Sequence, residues 1–374
     1  MELKSTTCVI ILAAGYATRL KPLSNRIPKP LLDVNGKTLI FRIISNFKIS
    51  GFSRFCILVG YKKELIIEEI SKIKEIKVKF VEQKQIVGMA DAIALCVNFV
   101  NKFEKDMLNF FISAADIVIS QEKIIDMYLL HINSKADLVL SLMKSNDVEI
   151  AKGHGNVKIL NDLVNKNEKV NQGLKILDVI EKPKPRQILS EYYSLPLYLF
   201  NQKIVKYLEK VKISERGEKE FQDAIKEALI SGADVQGIQI IDELVNIDTI
   251  GNYHVTYLKD LIKMNNRFLS GISLQKFKGK SPEFLEPVKV RFGVELGHNV
   301  LIGPNASIGN YCKIGDFCKL TDVLVFDHAV LGKSCELKSC IIDENVILPD
   351  NFHAQDCFIT LKDKNKLEFD MIYF

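Results

Sequence analysis

Two cations and a run of small residues near the start of the sequence have the composition of an anion-binding loop. The apolar segment Thr7–Leu12 is typical of a buried parallel strand, and it ends in Ala13-Ala14-Gly15, whose small side chains allow close backbone approach. Arg19 follows, and Lys29 is flanked by a proline on each side, which restricts its backbone. Backbone N–H groups and positioned positive charges both favour phosphate, so this segment is interpreted as a phosphate cradle.

This loop is neither of the two commonest phosphate-binding motifs. The pattern G-x-x-x-x-G-K-[ST] of a Walker A loop is absent, and so is G-x-G-x-x-G of a dinucleotide-binding loop. A second polar group follows the apolar run Phe110–Ala115, which ends in Asp116. Asp116 is either a cap of a turn or helix, or a ligand of Mg²⁺, which prefers one or two carboxylates together with substrate phosphates.

Length and composition limit the classes of protein that fit. The chain of 374 residues is long enough for two domains, and its hydrophobic fraction of 47% supports a globular core. A net charge of +5 with interspersed signs is too small to predict nucleic-acid binding, and no segment approaches the length of a membrane span. The eight cysteines form no C-x-x-C pair, so we expect a reduced, cytoplasmic protein.

Strand and helix patterns alternate over the first two thirds of the chain, which predicts an open α/β sheet with ligands beyond the carboxyl ends of its strands. The polar segment Asn161–Gly173 is predicted as a hairpin or loop. Predicted strands are Phe55–Val59, Val78–Val81, Phe110–Ala115, Ala136–Leu142, Ile176–Ile180 and Val235–Ile241, and predicted helices are Leu39–Ser50, Glu64–Ile73, Gly88–Val100, Glu218–Ser231 and Asn252–Met264. We predict domains at 1–264 and 288–374, joined by a linker over 265–287.

The last third of the chain carries an internal repeat. Aliphatic-Gly pairs recur every six residues at Leu296, Ile302, Ile308 and Ile314, and a small residue occupies the fifth place of each hexad. This hexapeptide period predicts a short left-handed parallel β-helix. Cys312, Cys318 and Cys335 fall on interior positions, where a free thiol behaves as a small hydrophobic group.

The segment LAAGYATRLKPLSNRIPKPLL (residues 12–32) resembles the signature of the sugar-1-phosphate nucleotidylyltransferases, close to L-A-x-G-x-G-T-R-L-x-P-L-T-x-x-x-P-K-P-L. The resemblance implies a Rossmann-like mixed-sheet nucleotidyltransferase domain before the β-helix. It also implies transfer of a nucleotidyl group from an NTP to a sugar 1-phosphate, with release of pyrophosphate. Ala17 and Ala115 depart from the family, which has Gly at both positions.

The resemblance assigns roles to individual residues. Gln83, five residues before Gly88, resembles the base-contacting segment of members that bind uracil or thymine, which favours UTP or dTTP. Glu181-Lys182-Pro183 resembles the family's sugar-phosphate motif, and Gly155 resembles a sugar contact although His154 replaces the usual Tyr. The implied set comprises Arg19, Lys29 and Lys182 as catalytic residues, Leu12, Ala13, Ala14, Gly15, Gln83 and Gly88 as nucleotide contacts, Gly155 and Glu181 as sugar contacts, and Asp116 and Asp248 as Mg²⁺ ligands, with Asp242 as an alternative to Asp248.

In the implied mechanism Arg19 holds the leaving pyrophosphate, Lys29 stabilises charge at the α-phosphate and Lys182 holds the attacking phosphate. Three alternatives stay open. One is an inactive regulatory or scaffold subunit that binds nucleotide sugar, which the departures at Ala17, Ala115 and Met89 favour. Another is a cytidylyltransferase that acts on a different phosphate acceptor. The third is acyl transfer by His298 or His328 of the β-helix, whose expected role is instead homo-oligomer assembly.

Overall fold

A computed structural model describes residues 2–160, 173–269, 282–362 and 368–374. The chain divides into two compact units. The first comprises residues 1–16, 28–31 and 39–248, and the second comprises 17–27, 32–38 and 249–374. The hairpin or loop predicted at Asn161–Gly173 lies almost wholly outside the described residues.

Each of the predicted helices overlaps an observed one, whereas the helices at Gln121–Ser134 and Gln202–Leu208 were not predicted. The observed helices are α1 (Glu2–Ser5), α2 (Leu23–Arg26), α3 (Leu39–Ile49), α4 (Lys63–Ser71), α5 (Met89–Phe103), α6 (Gln121–Ser134), α7 (Gln202–Leu208), α8 (Phe221–Ile230) and α9 (Leu258–Leu269).

The strands fall into long members in the first unit and short, regularly spaced members in the second. They are β1 (Thr7–Ala13), β2 (Asp33–Val34), β3 (Lys37–Thr38), β4 (Arg54–Val59), β5 (Lys77–Glu82), β6 (Asn109–Ala114), β7 (Leu138–Lys144), β8 (Gly155–Ile159), β9 (Leu174–Ile180), β10 (Tyr192–Asn201), β11 (Val235–Leu244), β12 (Glu283–Phe284), β13 (Val288–Val290), β14 (Glu295–Leu296), β15 (Leu301–Ile302), β16 (Ala306–Ile308), β17 (Lys313–Ile314), β18 (Lys319–Thr321), β19 (Leu324–Val325), β20 (Val330–Leu331), β21 (Glu336–Ile342), β22 (Ile347–Leu348), β23 (His353–Leu361) and β24 (Phe369–Tyr373).

One mixed sheet forms the centre of the first unit. Its order is β5-β4-β1-β6-β10-β7-β11-β9-β8, and β8 also pairs with β10. Strand β1 is parallel to β4 and β6, and every residue from Thr7 to Ile11 is buried, as expected of an apolar strand that is covered on both faces. The predicted mixed α/β fold is confirmed.

Strand β10 was not predicted, because its sequence contains Pro196 and does not alternate between apolar and polar residues. It runs antiparallel to both β6 and β7. A proline cannot donate a ladder hydrogen bond, and it is tolerated in a strand at a bulge. The pairing of β10 with β7 shifts register between Ser194 and Tyr198, so the irregularity lies where Pro196 falls.

A parallel β-helix forms most of the second unit. Leu296 pairs with Ile314, Ile314 pairs with Leu331, and Leu331 pairs with Leu348, so equivalent positions stack in successive coils. The coil is three hexads long at first and one residue shorter afterwards, which is why the six-residue aliphatic period shifts after Leu320. Cys312, Cys318 and Cys335 have no exposed surface and lie inside the coils. The left-handed sense of the coil stays a prediction.

The predicted boundary between the domains falls inside α9. The second unit begins at Thr249, so residues 249–264 group with the β-helix, whereas the sequence placed them in the first domain. Helix α9 begins later than predicted because the Asp260 carboxylate accepts hydrogen bonds from the backbone N–H groups of Thr256 and Tyr257. Much of the predicted linker 265–287 lies outside the described residues, and the domain bounds stay a prediction.

A search of the described residues for a helix long and apolar enough to cross a bilayer found none.

The buried His131 makes the stability of the fold dependent on pH. Its Nε2 lies 2.9 Å from Asn109 Oδ1, and burial lowers the pKa of its imidazole from 6.5 to about 4. Between these values the unfolded chain binds a proton that the folded chain does not, so the free energy of unfolding falls as the pH falls from about 6.5 to about 4. We expect a loss of up to ~3 kcal/mol over this window. Urea unfolding at several pH values measures this loss of stability. The loss should largely disappear in His131→Gln, whereas the control variant His298→Gln, at an exposed histidine, should retain it. Equal pH dependence in His131→Gln and wild type would contradict this assignment.

Ala17 adopts a backbone conformation that favours glycine, with φ 50° and ψ 49°. A left-handed conformation costs an L-residue ~1–2 kcal/mol, part of which glycine returns through its larger unfolded-state entropy. Ala17→Gly should therefore raise the free energy of unfolding by about 0.5–1 kcal/mol. Ala115→Gly is the matched control, because Ala115 is 4% exposed and has no positive φ. That change should instead destabilise the protein by about 1–2 kcal/mol. Denaturant unfolding measures the stability of both variants. A destabilising effect of Ala17→Gly would disprove backbone strain at Ala17.

Candidate active site

The carboxyl ends of the parallel strands place most of the predicted site residues at one edge of the sheet. Gly15 follows β1, Gln83 follows β5 and Asp116 follows β6. The other members reach this edge through antiparallel pairing. Tyr192 of β10 pairs with Lys144 at the carboxyl end of β7, and Ser194 pairs with Gly155 at the start of β8. Because Asn156 of β8 pairs with Ile180, the end of β9 reaches the same edge.

The turn after β1 is packed on one side and open on the other. Leu12 is partly buried, and Ala13 and Ala14 are buried. The carbonyl of Ala14 accepts a hydrogen bond from the N–H of Tyr61 at 3.2 Å, and a Cβ on Gly60 would lie 2.9 Å from the same carbonyl oxygen. A Cβ on Gly15 would meet no atom of the described residues within 4 Å. The open side of Gly15 is therefore available to a ligand.

Lys29 and Asp116 form an ion pair between Lys29 Nζ and Asp116 Oδ2. The side chains are only 19% and 17% exposed, and they come from segments 87 residues apart in the sequence. Partial exclusion of water strengthens the attraction between the two charges, and it strengthens the attraction of Lys29 for a phosphate in the same way. The structure thus brings together two residues that were singled out independently.

Asp248 is exposed and lies in a turn four residues after β11, where its backbone N–H donates a hydrogen bond to Asn246 Oδ1 at 2.9 Å. Asp242, the alternative ligand, pairs with Lys123 at 2.7 Å. Within the described ranges, no group of three or more His, Cys, Asp or Glu side chains is placed to hold a metal. A carboxylate such as Asp116 fits Mg²⁺ of the kind whose coordination is completed by substrate phosphates and water. The two metal-ligand assignments stay predictions.

Gln83 presents an unusual buried amide. The residue is 8% exposed, and among the described residues its Nε2 has no hydrogen-bond partner. A buried donor without a partner costs about 1–3 kcal/mol, so an acceptor supplied by a ligand would be bound favourably. This observation supports the role assigned to Gln83 as a contact of the base.

A cluster of two carboxylates and two cations lies around the end of β9. Glu181 Oε1 is 3.4 Å from Lys182 Nζ and 3.9 Å from Arg216, whose guanidinium is 3.1 Å from Glu220. Burial raises the pKa of both the Glu181 and the Glu220 carboxyl groups. Carboxylates accept hydrogen bonds from hydroxyls and cations bind phosphate, so the cluster has the chemistry to hold a sugar phosphate.

Two charged residues of this cluster, Arg216 and Glu220, were not identified from the sequence. The sequence predicted a helix that starts at Glu218, whereas α8 begins at Phe221. The run Arg216-Gly217-Glu218-Lys219-Glu220 carries four charges around a glycine with φ 81°, a composition more typical of a polar loop than of a helix. Gly217 was the sequence signal from which this loop could have been predicted.

Gly155 is buried, and its small size serves packing. A Cβ there would lie 2.8 Å from both Gln222 Nε2 and Ser194 Oγ. Next to it, Asn156 is fully buried and accepts hydrogen bonds from the N–H groups of Leu189 and Ser190. These contacts fix the loop that leads into β10, and the sugar contact assigned to Gly155 stays a prediction.

Arg19 lies in the second unit, within a 3-10 turn at Thr18–Leu20, and it is exposed. Its assigned contact with pyrophosphate stays a prediction.

Two glycine substitutions separate ligand contact from packing in the turn after β1. Gly15→Ala should leave the free energy of unfolding within about 0.5 kcal/mol of wild type, because its methyl meets open space. The same change should weaken nucleoside triphosphate binding by about tenfold or more, since the phosphates must approach this backbone closely. Gly60→Ala is the matched control for packing, and its clash with Ala14 should cost about 1–3 kcal/mol of stability. Calorimetric titration and urea unfolding measure both effects. Unchanged nucleotide affinity in Gly15→Ala would exclude a contact there.

Several curated proteins are similar in sequence. The bifunctional protein GlmU of Methanococcus maripaludis (strain DSM 14266) is 29% identical over 355 residues, which is 94% of this chain and 76% of that protein. GlmU of Methanococcus aeolicus is 32% identical over 62% of this chain, and there the match spans 49% of the relative. UTP–glucose-1-phosphate uridylyltransferase AglF of Haloferax volcanii is 27% identical over 62% of this chain and 87% of its own length. The chain thus spans between about half and three quarters of the GlmU relatives.

A solved structure shows the same fold. UDP-glucose pyrophosphorylase complexed with UDP-glucose superposes with a TM-score of 0.56 and 19% identity, covering 70% of this chain and 98% of that one. The model of the GMPPB C-terminal domain matches residues 284–363, which lie in the β-helix region. The nucleotidyl transferase family model matches residues 8–243. The predicted resemblance is therefore confirmed, and the chain belongs to the nucleotidyl transferase family.

Proposed function

We propose that the protein transfers a nucleotidyl group from an NTP to a sugar 1-phosphate and releases pyrophosphate. One observation carries the proposal. A single edge of the sheet bears both an anion-binding half, with Gly15, Lys29 and Asp116, and a half with the carboxylates and cations around Glu181 and Lys182. The first suits nucleotide phosphates, and the second suits a phosphorylated polyol. Family membership and the AglF relative support the same reaction class.

The reaction needs positioning and charge neutralisation more than a general base. An oxygen of the sugar phosphate forms a bond to the α-phosphorus in line with the leaving group. The bond from the α-phosphorus to the bridging oxygen breaks, and pyrophosphate leaves with that electron pair. Lys29 is held beside this edge by Asp116 when no ligand is bound, and an incoming phosphate offers its Nζ a second anionic partner.

Asp116 is the residue proposed to hold Mg²⁺, with Asp248 as the second ligand. Mg²⁺ bound to nucleotide phosphates neutralises their negative charge and that of the departing pyrophosphate. A carboxylate has two oxygens, so Asp116 would be able to hold Mg²⁺ through one of them while Oδ2 keeps the Lys29 ammonium at this edge of the sheet.

The sugar-phosphate half contains carboxylates proposed to bind sugar hydroxyls and a cation proposed to bind the phosphate. The Glu181 side chain is 14% exposed and that of Glu220 is 8%, and burial disfavours their charged forms. Hydrogen bonds donated by sugar hydroxyls would stabilise these carboxylates. Lys182 supplies the cation proposed for the attacking phosphate, and it holds a left-handed backbone conformation with φ 42°, as strained residues at functional sites often do.

UTP or dTTP is the proposed nucleotide. The amide N–H of Gln83 has no acceptor among the described residues, and the carbonyl groups of uracil and thymine can provide one. Guanine also carries a carbonyl oxygen, and a mannose-1-phosphate guanyltransferase of Yarrowia lipolytica is 29% identical over 112 residues. The measurement of activity therefore includes GTP.

We also retain two sequence-based expectations as proposals. The β-helix mediates assembly of a homo-oligomer, supported by the exposed aromatic side chains of Phe292, Tyr311 and Phe317 on its coils. The reaction takes place in the cytoplasm, supported by eight cysteines that are all free thiols.

The test is pyrophosphate release in Mg²⁺ with each of UTP, dTTP, CTP, GTP and ATP against a panel of sugar 1-phosphates. Lys29→Ala should lower kcat by at least about 10²-fold, because charge stabilisation at the transferred group is removed. Lys203→Ala is the matched control. Lys203 also pairs with an aspartate, Asp137, at 2.9 Å, but Asp137 precedes β7 and lies at the opposite edge of the sheet. This control should keep wild-type kcat.

If the wild type binds a nucleotide sugar but releases no pyrophosphate with any pair of NTP and sugar 1-phosphate, the enzymatic proposal is overturned in favour of a regulatory subunit. Release of pyrophosphate with CTP and a non-sugar phosphate would show that the acceptor is not a sugar 1-phosphate. An unchanged kcat in Lys29→Ala would remove Lys29 from the mechanism while leaving the reaction itself established.

A further inference from the structure

Two segments of the first unit that belong to different halves of the proposed site contact each other directly. One is the turn Val87–Asp91, which follows Gln83 and begins α5. The other is the loop Ser214–Glu220, which carries Arg216 and precedes α8. This contact links the base-contacting segment to the sugar-phosphate cluster, and it rests on the proposed function for its meaning.

The contact is possible only because residue 88 has no side chain. Gly88 is buried, with φ 138°, a conformation that L side chains rarely adopt. A Cβ there would lie 2.4 Å from the backbone nitrogen of Lys219 and 2.5 Å from its carbonyl oxygen. These atoms are backbone, so they cannot move aside without displacing the loop. Gly88 therefore has a clear packing reason that is separate from contact with a nucleotide.

Both backbone polar groups of Lys219 bind to this turn. The Lys219 N–H donates to the Val87 carbonyl at 2.8 Å, and the Ala90 N–H donates to the Lys219 carbonyl at 3.0 Å. The Lys219 ammonium also lies 3.3 Å from Asp91 Oδ1, with both side chains about one third exposed. The Ala90 N–H belongs to the first turn of α5, whose N–H groups have no partner within the helix. The loop thus caps α5.

The same loop sets the position of the sugar-phosphate cluster. Arg216 and Glu220 flank Lys219 closely in sequence, and Arg216 pairs with both Glu220 and Glu181. Hydrogen bonds from the Gly217 N–H to the Ser214 carbonyl and from the Ser214 N–H to the Glu218 carbonyl, both 2.9 Å, close the loop on itself. A displacement at Lys219 is therefore transmitted to Arg216, and through its guanidinium to Glu181.

We propose that Gly88 and Lys219 are positioning residues that couple the nucleotide half of the site to the sugar-phosphate half. Docking of the Ser214–Glu220 loop on the Val87–Asp91 turn fixes Arg216 and Glu220 beside Glu181. A nucleotide that orders the turn also orders the loop, so nucleotide binding raises the affinity for the sugar phosphate. Neither residue needs to touch the sugar phosphate for this effect.

The first test compares Gly88→Ala with Gly153→Ala, using the NTP and sugar 1-phosphate pair that the wild type converts fastest. Gly153→Ala is a matched control, because a Cβ there would meet only the Ile150 carbonyl oxygen, at 3.9 Å. Gly88→Ala should raise KM for the sugar 1-phosphate by about tenfold or more through misplacement of Arg216. Gly153→Ala should leave both KM values unchanged. A rise confined to KM for the NTP would overturn the coupling.

The second test exchanges the charges of the Lys219–Asp91 pair. Lys219→Asp and Asp91→Lys should each raise KM for the sugar 1-phosphate by about two- to fivefold, which is the effect of an ion pair one third exposed. The double variant should return toward the wild-type KM, with kcat little changed throughout. A double variant as impaired as the sum of the two singles would overturn the role of Lys219. Loss of packing alone would show no such rescue.

The third test needs no turnover. Hydrogen–deuterium exchange over residues 212–221 should be faster in Gly88→Ala than in wild type or Gly153→Ala, and UTP with Mg²⁺ should slow it in the wild type and in Gly153→Ala but not in Gly88→Ala. Equal exchange in all three proteins would overturn the coupling. The two proposals fail in distinguishable ways. Absence of pyrophosphate release by the wild type overturns the proposed function and the coupling together, whereas an active wild type with unaltered exchange in Gly88→Ala overturns the coupling alone.

Discussion

The parallel pairing of β1 between β4 and β6 is the constraint on which the site depends. Val9 to Ala13 stand in register with Phe55 to Val59, and Leu12 pairs with Ala114 on the other side. This register brings the turn at Gly15 next to Asp116, because both follow strands that end at the same level. The apolar run of β1 thus does more than fill the core. Its burial on both faces fixes the strand, and a slip by one residue would turn every side chain to the other face.

Electrostatics at this edge explain how the protein tolerates charged side chains that are mostly buried. Lys29 and Asp116 are each less than one fifth exposed, so either charge alone would lose much of its hydration. Pairing of the two side chains compensates for part of that loss. Around Glu181 the compensation is incomplete, because the pKa of the carboxyl group is raised in spite of Lys182 and Arg216. A carboxylate left in this state gains most from additional hydrogen-bond donors.

Local sequence predicted many of the elements whose pattern is local, although not helix α6, and it missed strand β10, whose assignment depends on partners distant in the chain. The buried strand β4 was predicted to within one residue because five apolar residues in succession admit few alternatives. Helix α9 was placed too early because its start is set by the Asp260 side chain, which accepts hydrogen bonds from the two residues before the helix. Strand β10 was missed because only its pairing on both sides shows that a segment with Pro196 is a strand.

The same distinction applies to the site. Motif spacing singled out Lys29 and Asp116, and the structure joins them in one ion pair. Motif spacing could not identify Arg216 and Glu220. Their proposed role follows from the approach of the Ser214–Glu220 loop to Gly88, and no local sequence pattern encodes that approach. The sequence assigned Gly88 to the nucleotide, which stays a prediction, and the packing contact that the structure describes for Gly88 is with the Lys219 backbone.

The division of the chain into two units gives the β-helix a part in shaping the signature segment. Residues 12–16 and 28–31 fold with the first unit, whereas 17–27 fold with the second. Within the second unit, Arg26 pairs with Asp343 and lies 2.5 Å from Glu344, both of which belong to the β-helix region. Asp343 is only 8% exposed at its side chain, so this anchor is partly withdrawn from solvent and less screened than a surface pair. Ala17 and Arg19 are therefore held by a segment whose partners lie more than 300 residues later in the chain. A left-handed Ala17 can persist there because tertiary contacts, and not local propensity, decide the conformation of that segment.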